Sequence, residues 1–124
     1  MGVKVERRSR GLIRVPFVRR CRLEYDDAPV ATAFLVNINV FGAYIAEDEQ
    51  PPLGRKVTCR FGVPDNDQEV VIGAVVAWLN PKQQHPVHSL PPGFGIKFED
   101  LSAEARLRIE RIVQDHVERH PEAR

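Results

Sequence analysis

Lys56-Val57-Thr58-Cys59-Arg60-Phe61-Gly62-Val63 runs through Pro64-Asp65-Asn66-Asp67 to Glu69-Val70-Val71-Ile72-Gly73-Ala74-Val75-Val76-Ala77-Trp78-Leu79. In the first segment Val57, Cys59, Phe61 and Val63 alternate with Lys56, Thr58, Arg60 and Gly62, the period of two expected of a half-buried strand. Pro64 to Asp67 has turn chemistry. The second segment is the longest apolar run of the chain. By alternation it places Val70, Ile72, Ala74, Val76 and Trp78 on one face and Val71, Val75, Ala77 and Leu79 on the other. A strand apolar on both faces needs cover on both sides.

The same period recurs on either side of this pair. From Pro16, the residues Phe17, Cys21, Leu23 and Tyr25 share one face, interrupted by Arg19, and Val18, Arg20, Arg22 and Glu24 the other. Asp26, Asp27 and Pro29 make a turn. Val30 to Ile38 reads as a second strand and Gly42 to Ala46 as a short third. Asp48 to Gly54 carries Pro51, Pro52 and Gly54 and is a loop. Residues 80–93 form a longer loop with four prolines, and Phe94, Ile96 and Phe98 mark a last strand. Ser102 is a good helix N-cap. Beyond it Ala105, Ile109, Ile112, Val113, His116 and Val117 share one helical stripe, with Leu107 nearly opposite. The expected fold is mainly β: a small antiparallel barrel or sandwich of six strands, with a C-terminal helix expected to cover the outer face of the apolar strand.

The 124 residues have the size of one domain, and 43% hydrophobic with 28% charged residues reads as a soluble globular chain. No apolar run approaches the roughly 20 residues of a membrane-spanning helix, and the Arg-rich N-terminus lacks a signal-type apolar stretch. A cytoplasmic protein without membrane insertion is expected. Cys21 and Cys59 form neither a disulfide framework nor a zinc motif and read as buried thiols. The net charge of +1 hides an asymmetry. Residues 1–22 hold eight Lys and Arg against Glu6, a net +7, and residues 23–124 hold ten against sixteen acidic residues, a net −6. A basic arm on a mildly acidic body points to an anionic partner, but not to a long nucleic acid, which usually needs a basic body as well.

Two short motifs carry chemistry. Arg10-Gly11-Leu12-Ile13-Arg14 precedes the first strand, with Arg7 and Arg8 upstream. Guanidinium groups bind phosphate in a bidentate fork and stack on flat rings. Asn37-Ile38-Asn39-Val40-Phe41-Gly42 lies between the second and third strands. Asn side chains offer donors and an acceptor to a purine edge, or to an Asx turn. The order Arg-x-x-x-Arg, two strands, Asn-x-Asn-x-x-Gly, the Val75-Val76-Ala77-Trp78 strand, Gly93-Phe94-Gly95-Ile96-Lys97-Phe98 and a helix resembles the PilZ domain family over roughly residues 7–117.

The resemblance implies a six-stranded antiparallel β-barrel with a C-terminal helix. It divides the chain into a flexible basic arm (1–15), a barrel with helix (16–118) and a tail (119–124). It further implies a receptor for cyclic di-GMP that relays the signal to a downstream protein. By position Arg10 and Arg14 are the Arg pair, Asn37, Asn39 and Gly42 the second motif, and Arg7 and Arg8 additional phosphate contacts. Asn39 stands where the family usually has Ser. The alternative is therefore a PilZ-like adaptor that does not bind the nucleotide and regulates motility or polarity through protein contacts.

The remaining signals are weaker. His85 and His88 sit in a Pro-rich loop without a third ligand nearby, so no metal site is expected. That loop is the best candidate for a protein-contacting surface. Trp78 reads as core or rim packing, with partial stacking on a ligand as the other option. Ser9, Ser89 and Ser102 have no evident His or Asp partners, the carboxylates are scattered, and no phosphate loop is present, which argues against an enzyme.

Overall fold

A computed structural model describes residues 13–63, 66–81 and 90–120. It contains β1 (Val15–Glu24), β2 (Ala31–Ile38), β3 (Gly42–Ala46), β4 (Lys56–Val63), β5 (Asn66–Asn80), β6 (Gly93–Asp100) and α1 (Ala103–Arg119). The strands close into an antiparallel barrel in the order β1-β2-β3-β6-β5-β4. Each strand is paired on both sides over at least part of its length. The β4–β5 ladder runs from Lys56↔Val75 to Val63↔Asn66, so Asn66 and Asp67, expected in the turn, belong to β5. The N-terminal arm falls mostly outside the described residues.

The alternation in β4 sends Val57, Cys59, Phe61 and Val63 into the barrel, where they meet Cys21, Leu23, Leu35, Ile72 and Ile96 in one core. Both cysteines are free and buried there. In β5 the alternation changes partway. Val70, Ile72, Ala74 and Val76 face inward and are almost fully buried. A bulge between Val76 and Trp78 then shifts the register against β6, pairing Val76 with Ile96 but Trp78 with Gly95. One extra residue exchanges the two faces of a strand. Trp78 is therefore outside and 43% exposed, and Leu79 packs against the core. This corrects the expectation that Trp78 shares a face with Val76.

The helix also differs from expectation. Ser102 caps it, its hydroxyl accepting from the Ala105 amide at 3.0 Å. Its buried residues Ala105, Ile109, Val113 and Val117 join the same core as the inward-facing strand residues. It touches β1 and β5, with Arg108 Nη2 donating to the Gln68 carbonyl near the start of β5. The helix thus closes the barrel mouth where β1 and β5 begin. It does not cover the outer face of β5, where Val71 and Ala77 stay exposed. An open end of a small barrel exposes more apolar core than one sheet face does, so the apolar stripe is used there.

Candidate ligand-binding site

At the same mouth, the start of β1 runs beside the end of β2, with Val15 opposite Ile38 and Pro16 opposite Asn37. Arg14 is one residue before Val15 and Asn39 one residue after Ile38, so the two flank the last pair. The Arg14 side chain is exposed and has no hydrogen-bond or ion-pair partner among the described residues. Neighbouring protein atoms partly desolvate it, which lowers its pKa while leaving it cationic at neutral pH. Arg7, Arg8 and Arg10 lie outside the described residues. The other arginines of β1 have local partners. Arg22 pairs with Glu69 at 2.5 Å, Arg19 lies over the Phe17 ring at 5.4 Å and Arg20 over Phe34 at 5.9 Å.

The Asn-x-Asn-x-x-Gly segment makes the β2–β3 turn, and Asn39 holds it together. Its Oδ1 accepts from the Phe41 amide at 2.8 Å and the Gly42 amide at 3.0 Å, and its own amide donates to the Gly42 carbonyl at 2.9 Å. The turn is tied to β6 by the Phe98 amide donating to the Phe41 carbonyl at 2.8 Å. Gly42 is required by proximity: a Cβ built on it would lie 2.1 Å from the Ile96 carbonyl oxygen. Asn39 is 4% exposed. It therefore does the work of a short acceptor at the head of a turn, which a Ser hydroxyl also does. Replacing Asn39 with Ala should cost about 1–3 kcal/mol, because the buried Gly42 amide loses its acceptor. Asn39→Ser should stay within about 1 kcal/mol of the parent, because the hydroxyl keeps one of the two bonds. Urea unfolding of the two variants checks both numbers.

Asn37 is placed differently. A bulge in β2 between Leu35 and Asn37 turns it to the outer surface, paired with Pro16 on one side and Tyr44 on the other. Tyr44 pairs in turn with Gly95, and Gly95 with Trp78. Asn37, Tyr44 and Trp78 thus lie in one row across the outer wall of the barrel. The Tyr44 and Trp78 rings are 5.6 Å apart at 47°. Tyr44 is fixed at its far end, where its hydroxyl donates to the Pro91 carbonyl at 2.6 Å and accepts from Asn80 Nδ2 at 3.0 Å. Burial raises its pKa, so it remains a neutral phenol. Gly93 makes room for this ring, as a Cβ there would approach Tyr44 Cζ to 3.0 Å and the Ile45 carbonyl oxygen to 2.0 Å. At the near end of the row Asn37 Oδ1 is buried without a hydrogen-bond partner among the described residues.

The row was not visible from spacing. Tyr44 reads as an ordinary member of a short strand, and the β5 bulge hides Trp78 on the wrong face. The usable signal is the Gly-x-Gly of Gly93 and Gly95, which leaves a strip of β6 without side chains. A flat ring can lie on such a strip. His85 and His88 fall outside the described residues. Among the described residues there is no group of three or more His, Cys, Asp or Glu side chains able to hold a metal, and no helix long and apolar enough to cross a membrane.

Comparisons with known proteins agree with this fold. Residues 6–115 match the family described as the PilZ domain. No curated protein matches the sequence. Among solved structures, the inhibitor of motility MotI/DgrA of Bacillus subtilis superimposes with a TM-score of 0.69 at 12% identity, over 86% of this chain and 50% of that one. The chain therefore spans about half the length of MotI. The PilZ domain of YcgR from Escherichia coli, solved with c-di-GMP, gives a TM-score of 0.66 at 12% identity, over 90% of this chain and 94% of that one. The PilZ domain of CeSA from a cellulose-synthesizing bacterium gives 0.57 at 13% identity, over 84% and 97%. At such identities the structural likeness speaks for the fold alone, but the sequence match reaches from before the Arg pair into the C-terminal helix. The chain belongs to the PilZ domain family.

Proposed function

We propose that the chain is a receptor for cyclic di-GMP, bound between the N-terminal Arg pair and the outer row that begins at Asn37. The observation that carries this reading is the position of Arg14. It is an uncommitted guanidinium beside a turn made rigid by Asn39 and Gly42, with a buried acceptor and an exposed indole on the adjoining surface. The ligand has two phosphates and two purine rings. Arg14 and Arg10 supply bidentate phosphate contacts and stack on guanine. Asn37, at the near end of the row, offers its side-chain amide to a guanine edge, and the exposed Trp78 indole offers a face for a base. Arg7 and Arg8 add charge. Asn39 and Gly42 act by holding the turn. The YcgR PilZ domain, which shares this fold, was solved with c-di-GMP, and that supports the ligand class.

On this reading residues 1–15 are the clamp and residues 16–118 the platform. The clamp closing on a dianion gives a new surface for a downstream protein in the cytoplasm. A receptor has no catalytic step to perform. The contacts of Asn39 favour nucleotide binding over an adaptor that acts through proteins alone, because the departure from Ser keeps the turn closed.

Calorimetric titration of the purified chain with cyclic di-GMP at moderate salt tests the reading. A saturable heat at micromolar nucleotide is expected. No heat, together with a protein partner still captured by an Arg10/Arg14 double variant, would replace it with the adaptor.

A further inference from the structure

One cleft is not used by the site above. It lies between the start of β1 and α1, has a volume of about 330 Å³, and is lined by Pro16, Phe17, Ile112 and a flank of the helix carrying Arg108, Arg111, Asp115, His116, Arg119 and His120. The helix spacing explains the flank. Arg108, Arg111, Asp115 and Arg119 follow one another at three or four residues and so face one way. Pro16, Phe17 and Ile112 provide an apolar floor, and the three guanidinium groups against one carboxylate make the rim cationic. His116 and His120 add two rings, their centroids 4.6 Å apart. Arg108 commits Nη2 to the Gln68 carbonyl, while its buried Nε has no hydrogen-bond partner among the described residues.

An apolar floor under a forked cationic rim fits a base joined to a phosphate, and the volume is at the lower end of the usual range for small-molecule sites, the size of one nucleotide. The cleft adjoins the candidate site, because Pro16, on its wall, is the register partner of Asn37.

We propose that this cleft is a second anion subsite of the same ligand, with the arginine flank of α1 receiving one guanylate half while Arg14 and Asn37 hold the other. The inference rests on the cyclic di-GMP reading. It adds the helix to the binding surface, so occupancy by ligand is sensed by the element that closes the barrel mouth.

The test is titration of the full chain with cyclic di-GMP, comparing Arg119→Glu with Arg106→Glu. Both positions are exposed, so both variants should keep the parent melting temperature within a few degrees. Both change the net charge equally, but Arg106 is on the other flank and does not line the cleft. Expected is a loss of at least tenfold in affinity for Arg119→Glu and less than twofold for Arg106→Glu. Equal losses would assign the effect to overall charge and overturn the subsite. Unchanged affinity in both would overturn it as well, leaving the cyclic di-GMP reading intact. Absence of binding by the parent chain would remove that reading and the subsite with it.

Discussion

Arg14→Ala should weaken cyclic di-GMP binding by roughly 10- to 150-fold, the equivalent of about 1.5–3 kcal/mol for one charge-assisted hydrogen-bonding group. Arg19, Arg20 and Arg22 follow it closely in sequence, yet each is spent on a ring or a carboxylate along β1. Arg14 makes no such contact and stands where β1 meets the Asn39 turn. The fold should be indifferent to the change, because the side chain is exposed and supports no neighbour. Arg14→Lys should fall between parent and Ala: the charge stays, but the planar fork that reads a phosphate or covers a ring is lost. Calorimetry gives the affinities, and thermal unfolding confirms that all three proteins are folded. Arg20→Ala, equally near the arm, should change affinity by less than twofold.

Gly42→Ala should be the most damaging single methyl addition in the site. The new Cβ would sit 2.1 Å from the Ile96 carbonyl oxygen, a backbone atom of the paired strand that has no rotamer to escape into. Strands β3 and β6 would have to separate, loosening the Phe98-to-Phe41 hydrogen bond and the two amide bonds to Asn39 Oδ1. A loss of about 3 kcal/mol is expected, at the upper end of overpacking costs. That corresponds to a fall in melting temperature of roughly 10 °C for a chain of this size. Affinity for the nucleotide should fall as well, because the turn beside Arg14 moves. Gly62→Ala is the matched control. Nothing lies within 4 Å of its Cβ, so it should melt close to the parent. A Gly42→Ala protein that melts with the parent would contradict the assigned close approach.

Three places show how far the fold and the site could be read from sequence. β4 was legible because its alternation is unbroken from Val57 to Val63 and its inward residues all reach the core. β5 was legible as a strand, but its faces were not. Periodicity assigns sides only while every residue advances the pleat, and the bulge before Trp78 adds a residue without doing so. The helix was legible in its cap and stripe, but the surface it covers was not. An apolar stripe says that a surface must be buried and leaves open which surface. The barrel mouth competes with the outer sheet face for it, and α1 closes the mouth. In the candidate site, Asn39 and Gly42 were singled out by the resemblance of Asn-x-Asn-x-x-Gly to the family motif, and their part in the turn needed the hydrogen bonds and the distance to β6. The outer row from Asn37 to Trp78 joins four strands and is visible only once the register is known.

The proposed binding of cyclic di-GMP where the N-terminal arm meets the Asn39 turn and the outer row can be tested residue by residue. A ¹H–¹⁵N NMR titration of the full chain with the nucleotide would follow the backbone amides and the Trp78 indole N–H. Saturable shifts are expected, centred on Arg14, Asn37, Asn39, Phe41 and Gly42 and on the Trp78 indole, with the region around Tyr25 and Arg55 at the far mouth unchanged. Shifts confined to that far mouth, or no shifts at saturating nucleotide, would contradict the proposed site.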